Sequence, residues 1–79
     1  MERHQILERV KTQAGTIFAL APEAIKDEDG YKEIKGWDSL AHLRLFMAVE
    51  AEFGIKFDVG EITNTQTIDA ITTLVMEKV

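Results

Sequence analysis

The stretch Gly36-Trp37-Asp38-Ser39-Leu40-Ala41-His42-Leu43-Arg44-Leu45-Phe46-Met47-Ala48-Val49-Glu50-Ala51-Glu52-Phe53-Gly54 spells out one helix together with both of its ends. Gly36 permits a turn, a large aromatic follows, and Asp38 can accept hydrogen bonds from the unpaired amides of the next turn, as an N-cap does. Gly54 fills the left-handed position that closes a helix without steric cost. The helix is therefore predicted over residues 39–53. Turning each residue through about 100° puts Phe46, Val49 and Phe53 at the centre of one face, flanked by Leu43 and Leu45, and that face is core. Leu40 and Met47 fall at its edge, where such residues are more often peripheral core than partner surface. Arg44, Ala48 and Ala51 lie opposite.

Asp-Ser at a helix start is by itself an ordinary capping sequence. With Asp38 as the cap, however, the hydroxyl of Ser39 is not needed to hold the helix and can point outward. A phosphate esterified to it would lie near the partial positive charge of the helix N-terminus and beside free backbone amides. His42 occupies the fourth helical position after the cap, where a side chain packs against the residue preceding the cap. A Trp37–His42 staple that steadies the Ser39 turn is the expectation.

Working outward, Ile6, Val10, Ile17 and Phe18, widened by Leu7 and Ala14, give the spacing of an amphipathic helix from about residue 3 to residue 20. Gly15 within it suggests a close packing contact, since glycine there costs about 1 kcal/mol against alanine. Pro22 ends the pattern. Residues 23–35 have no sustained period and read as a long loop with one short turn, pinned by Ile25, Tyr31 and Ile34. Beyond Gly54, Ile55 and Phe57 are expected to be buried. Asp58 then opens a short helix to Asn64 with Glu61 as its capping-box partner. Thr65 or Thr67 caps a last helix striped by Ile68, Ile71, Leu74 and Val75. No alternating strand pattern of useful length occurs, so the fold class is all-α: a small bundle of three main helices and one short one, forming a single domain over residues 1–79.

Composition narrows the function. Seventy-nine residues with 46% hydrophobic and 29% charged residues support one modest core. No run approaches the roughly 18 apolar residues of a membrane span, and the first residues lack the apolar stretch of a signal peptide. Fourteen acidic against nine basic residues, a net charge of -5, argue against a nucleic-acid binder. The absence of cysteine excludes disulfides and thiolate metal sites and fits a reducing compartment, so the expected place is the cytoplasm. Asp27-Glu28-Asp29-Gly30 invites a calcium reading, but counted from Asp27 the sixth and twelfth positions of an EF-hand hold Lys32 and Asp38, so a solvated turn is expected and no metal site. Autonomous catalysis at Ser39 fails too. His42 is near enough to be a base, but Trp37 and Ala41 replace the glycines of a nucleophile elbow, and a chain this small offers no oxyanion hole.

The run Gly36-Trp37-Asp38-Ser39-Leu40-Ala41-His42-Leu43, continuing through Met47-Ala48-Val49-Glu50-Ala51-Glu52-Phe53-Gly54-Ile55, resembles the acyl carrier proteins. The resemblance spans the chain from its first helix to its last, with residues 36–57 as its specific part. It implies that Ser39, flanked by Asp38 and Leu40, carries a 4′-phosphopantetheine arm placed there by a phosphopantetheinyl transferase, and that the arm's thiol holds acyl groups as thioesters. It also raises Leu40, Arg44 and Met47 as contacts for acyl-loading and acyl-processing enzymes, suggests a monomer, and makes His42 a candidate to line the mouth of an acyl pocket or to touch the arm's phosphate. The mixture of Ile, Leu, Val, Phe and Ala on the helix stripes adds the expectation of a core loose enough to admit a chain near Leu43, Phe46, Ile62 and Ile71. Positions that are commonly acidic in fatty-acid carriers hold Ala41 and Arg44 here, which points to a dedicated fatty-acid or polyketide-type pathway. The competing reading is a helical interaction module that uses the 39–53 helix to bind a partner and never carries a prosthetic group.

Overall fold

The computed structural model describes all residues 1–79 and consists of four helices: α1 (Arg3–Phe18), α2 (Ser39–Phe53), α3 (Val59–Asn64) and α4 (Ile68–Lys78). A 3-10 turn at Pro22–Ala24 interrupts the long α1–α2 connection. The all-α architecture, three main helices and a short one, is the one the sequence predicts. α1 packs against both α2 and α4. Ile6, Val10 and Ala14 of α1, Leu45, Phe46 and Val49 of α2, and Ile68, Ile71 and Val75 of α4 are wholly enclosed. Phe57 is buried with them, while Ile55 and Phe53 are half-buried against the same core.

Each later helix begins with the cap its sequence announces. Oδ1 of Asp38 accepts the Ala41 amide at 2.9 Å. Asp58 and Glu61 exchange bonds of 2.8 and 2.9 Å as a capping box. Thr67, rather than Thr65, receives the Ala70 amide at 3.1 Å. Gly54 closes α2 at φ 65°, its amide bonded to the Glu50 carbonyl.

Four expectations need correction. α1 stops at Phe18 because Ala19 turns left-handed at φ 57°, and the Ala19 and Leu20 amides both return to the Gly15 carbonyl. Gly15 is indeed a close contact: a Cβ there would stand 2.6 Å from the Leu20 carbonyl oxygen. Tyr31 is not a pin of the loop; it is 52% exposed, and Ile25, Ile34 and Trp37 are the buried anchors. Leu40 and Met47, each 59% exposed, are surface rather than peripheral core. Leu43 is 44% exposed, lining an open cleft with Ile62 and Thr63 of α3 instead of being enclosed by it.

The acidic loop has a structural task. The backbone carbonyls of Asp27 and Asp29 accept the first amides of α4, from Asp69 at 2.7 Å and Ile68 at 2.9 Å, so the loop caps a helix remote in sequence. Lys11 pairs with the Asp27 carboxylate at 2.8 Å, and Asp29 Oδ2 accepts the Lys26 amide. Gly30 bridges to Thr67, so close to the neighbouring strand of chain that a Cβ would lie 2.2 Å from the Gln66 carbonyl oxygen. This clamp, with Trp37 buried at its end, fixes where α2 begins.

Candidate functional site: the mouth of α2

Ser39 is the first residue of α2 and is exposed. Four amides open any helix without intrahelical partners. Here the Ala41 amide goes to the Asp38 side chain and the His42 amide to the Asp38 carbonyl, which leaves those of Ser39 and Leu40 uncommitted. Since Asp38 performs the capping, the serine hydroxyl takes no part in closing the backbone. It stands beside two free N–H groups at the electropositive end of a 15-residue helix.

Beside it opens a cleft of about 480 Å³ between the start of α2, the preceding loop and α3. Trp37, His42, Leu43 and Ile62 make its floor and walls, while Asp38, Thr63 and Gln66 bring polar atoms to its rim. Trp37 is 5% exposed and stacks on Phe18, with ring centroids 4.9 Å apart, so its position is set by the end of α1.

The expected Trp37–His42 staple is present, but as a hydrogen bond. The indole N–H donates to His42 Nδ1 at 2.9 Å. An indole nitrogen only donates, so Nδ1 must accept, and the ring hydrogen is assigned to Nε2. Nε2 in turn donates to the Ile62 carbonyl at 2.7 Å. That carbonyl belongs to the last turn of α3, where helix carbonyls lack intrahelical donors. His42 thus also lines the cleft, and it couples α2 to α3 through a bond spanning 20 residues of sequence. Its ring lies 4.9 Å from that of Phe46, which meets Phe57 edge-on at 5.1 Å.

Of the residues singled out in the sequence, Asp38, Ser39 and His42 meet at this cleft with Leu43 and Ile62. Leu40, Arg44 and Met47 lie exposed along α2, and Arg44 joins none of the four ion pairs. Thr63 and Gln66 were not foreseen: they reach the rim through the placement of α3, and nothing in their local sequence marks them.

An exposed hydroxyl freed from capping, two open amides and an adjoining cleft are what a chain needs to bear a phosphodiester-linked prosthetic group. The family described as a phosphopantetheine attachment site matches residues 8–75, and the chain belongs to that family. Within it the chain is an acyl carrier protein. It is 30% identical over 79 residues to the acyl carrier protein of Thermosynechococcus vestitus, covering 100% of this chain and 98% of that one. Against the acyl carrier protein of Saccharopolyspora erythraea it is 27% identical over 79 residues, covering 100% and 83% respectively. It is therefore a non-catalytic carrier with a covalent 4′-phosphopantetheine, and the interaction-module reading without a prosthetic group falls away. No helix is long and apolar enough to cross a membrane.

Proposed function

We propose that Ser39 is the attachment point of the arm and that this chain, as one carrier domain, presents acyl groups to enzymes of a dedicated cytoplasmic pathway. The observation that carries the reading is the division of labour at the mouth of α2: Asp38 closes the helix, and the adjoining hydroxyl is left exposed. A phosphopantetheinyl transferase would bring the serine oxygen to the pantetheine-side phosphorus of coenzyme A's diphosphate. The new P–O bond forms as the bond to the other phosphate breaks, adenosine 3′,5′-bisphosphate leaves, and the hydroxyl proton passes to a base of the transferase. The ester phosphate would then meet the free amides of Ser39 and Leu40. When bound, the arm supplies a thiol that holds an acyl group as a thioester. Mass spectrometry after incubation with coenzyme A and a broad-specificity transferase is expected to give one phosphopantetheine adduct on the wild type and none on Ser39→Ala. An adduct that survives the substitution overturns the assignment.

The client enzymes are proposed to dock on α2 over Leu40, Arg44 and Met47. In support, two large apolar side chains are exposed there around a cation that has no carboxylate partner in its own chain. Arg44 and Ala41, where fatty-acid carriers tend to be acidic, favour clients of a specialised fatty-acid or polyketide-type pathway whose surface offers a carboxylate. The carrier is proposed to act as a monomer.

A further inference from the structure

We propose that the Trp37–His42–Ile62 hydrogen-bond chain closes the core against the cargo, so that this carrier holds a short, uncharged, hydrogen-bonding acyl group in the cleft instead of drawing a long hydrocarbon into the bundle. The inference rests on attachment at Ser39 and names the cargo class for that site.

A chain tethered at Ser39 reaches the core by passing between α2 and α3, and His42 stands in that passage. Both ring nitrogens are engaged, one to the Trp37 indole and the other across to the Ile62 carbonyl. Behind the ring lies Phe46, fully buried and packed edge-on against Phe57. Admitting an alkyl chain would require the imidazole to swing aside. It would leave a buried indole N–H and an α3 carbonyl without partners, both costly in a partly dry site. It would also break the contacts of a core whose Phe46 and Ile71 are already sealed. This reverses the expectation, drawn from the stripe residues alone, of a core loose enough for a chain.

The cleft outside the door selects by chemistry. Gln66 gives one of its two side-chain amide hydrogens to the Thr63 carbonyl, at 3.1 Å, which leaves the second hydrogen and the side-chain oxygen for a ligand. The Thr63 hydroxyl is exposed at the same rim. A long alkyl chain laid here would strip water from these groups and return nothing. A hydroxyl or amide on the cargo would satisfy them. The Asp38 carboxylate at the cleft disfavours a negatively charged group.

The test uses the whole chain loaded at Ser39 with octanoyl-, butyryl- or 3-hydroxybutyryl-phosphopantetheine by a transferase acting on the acyl-coenzyme A. Readouts are the Trp37 indole N–H, the Phe46 ring, the Ile71 methyls and the Gln66 amide by NMR. In the wild type, octanoyl loading is expected to leave the resonances of Trp37, Phe46 and Ile71 where the unacylated arm leaves them. In His42→Ala the octanoyl form should shift Phe46 and Ile71. Trp37→Phe, which keeps a ring against Phe18 but removes the donor, should shift them as well and serves if His42→Ala does not fold. The 3-hydroxybutyryl form should shift the Gln66 amide more than the butyryl form, a difference lost in Gln66→Ala. Octanoyl-dependent shifts at Phe46 and Ile71 in the wild type overturn the closed door alone, and equal Gln66 shifts for the two short groups overturn the polar cargo. Failure of the wild type to take any adduct at Ser39 overturns the attachment reading and this inference with it.

Discussion

Of two adjacent residues, Asp38 closes α2, and the hydroxyl of Ser39 is left exposed and outside the helix's own hydrogen bonding. The Asp38 oxygen holds the Ala41 amide, and capping bonds of this kind stabilise by about 1 kcal/mol. Asp38→Ala is therefore expected to destabilise the fold by about 1 kcal/mol, lowering the melting temperature by about 4–8 °C for a domain of this size. Ser39→Ala should stay within about 0.5 kcal/mol of the wild type, as an exposed substitution that breaks no bond. Thermal melts followed by circular dichroism check both, and an equal loss in the two variants would mean that the serine is a cap after all. This part of the site was legible because a cap and its amide lie three residues apart. The same locality explains what was missed. His42 was placed against Trp37, five positions away, but its second bond goes to the Ile62 carbonyl, which only the folded chain brings near.

Helix starts proved easier to read than helix ends and faces, for physical reasons visible in particular elements. Asp38, Asp58 and Thr67 carry oxygens that state their purpose, whereas α1 ends on an alanine forced left-handed, a place where glycine would have been the signal. That conformation costs an L residue roughly 1–2 kcal/mol. Ala19→Gly is accordingly expected to stabilise the fold by about 0.5–1 kcal/mol, after the entropy glycine regains on unfolding, as measured by urea denaturation. The helical wheel placed Leu43 and Leu45 symmetrically about the core face, yet only Leu45 is buried. Periodicity tells which residues share a face and not how far a neighbour extends over it. At the loop that caps α4, Gly30→Ala has the opposite sign to Ala19→Gly. The new methyl would meet the Gln66 carbonyl oxygen at 2.2 Å, a backbone atom that cannot swing aside as the end of a flexible side chain could. Overpacking of this kind costs about 1–3 kcal/mol. Amide exchange should then quicken first at Ile68 and Asp69, whose donors the displaced loop would release.

At the scale of the whole molecule the chain carries a net charge of -5, so its long-range field steers it toward basic surfaces, while its proposed docking helix presents a cation. These two fields act at different distances. The net charge governs approach over a Debye length of about 10 Å at 0.1 M salt, and Arg44 governs which surface fits once α2 is in contact. Four of the fourteen acidic side chains are held in ion pairs: Asp69 to Arg3, Asp27 to Lys11, Glu52 to Arg9 and Glu61 to Lys78. Lys26, Lys32, Lys35, Arg44 and Lys56 join no ion pair, and of these Arg44 is the one carried by α2, beside the exposed Leu40 and Met47. Arg44→Glu is expected to raise KM for loading by the cognate client about tenfold at low salt with kcat unchanged, because the substitution alters encounter and leaves the Ser39 region intact. The effect should shrink as ionic strength rises, since an exposed pair is screened. A transferase that reads only the mouth of α2 should be indifferent to the same substitution. Steady-state loading with both enzymes across a salt series separates the cases: a client insensitive to Arg44→Glu at every salt concentration would remove Arg44 from partner selection and leave Leu40 and Met47 as an apolar docking face alone.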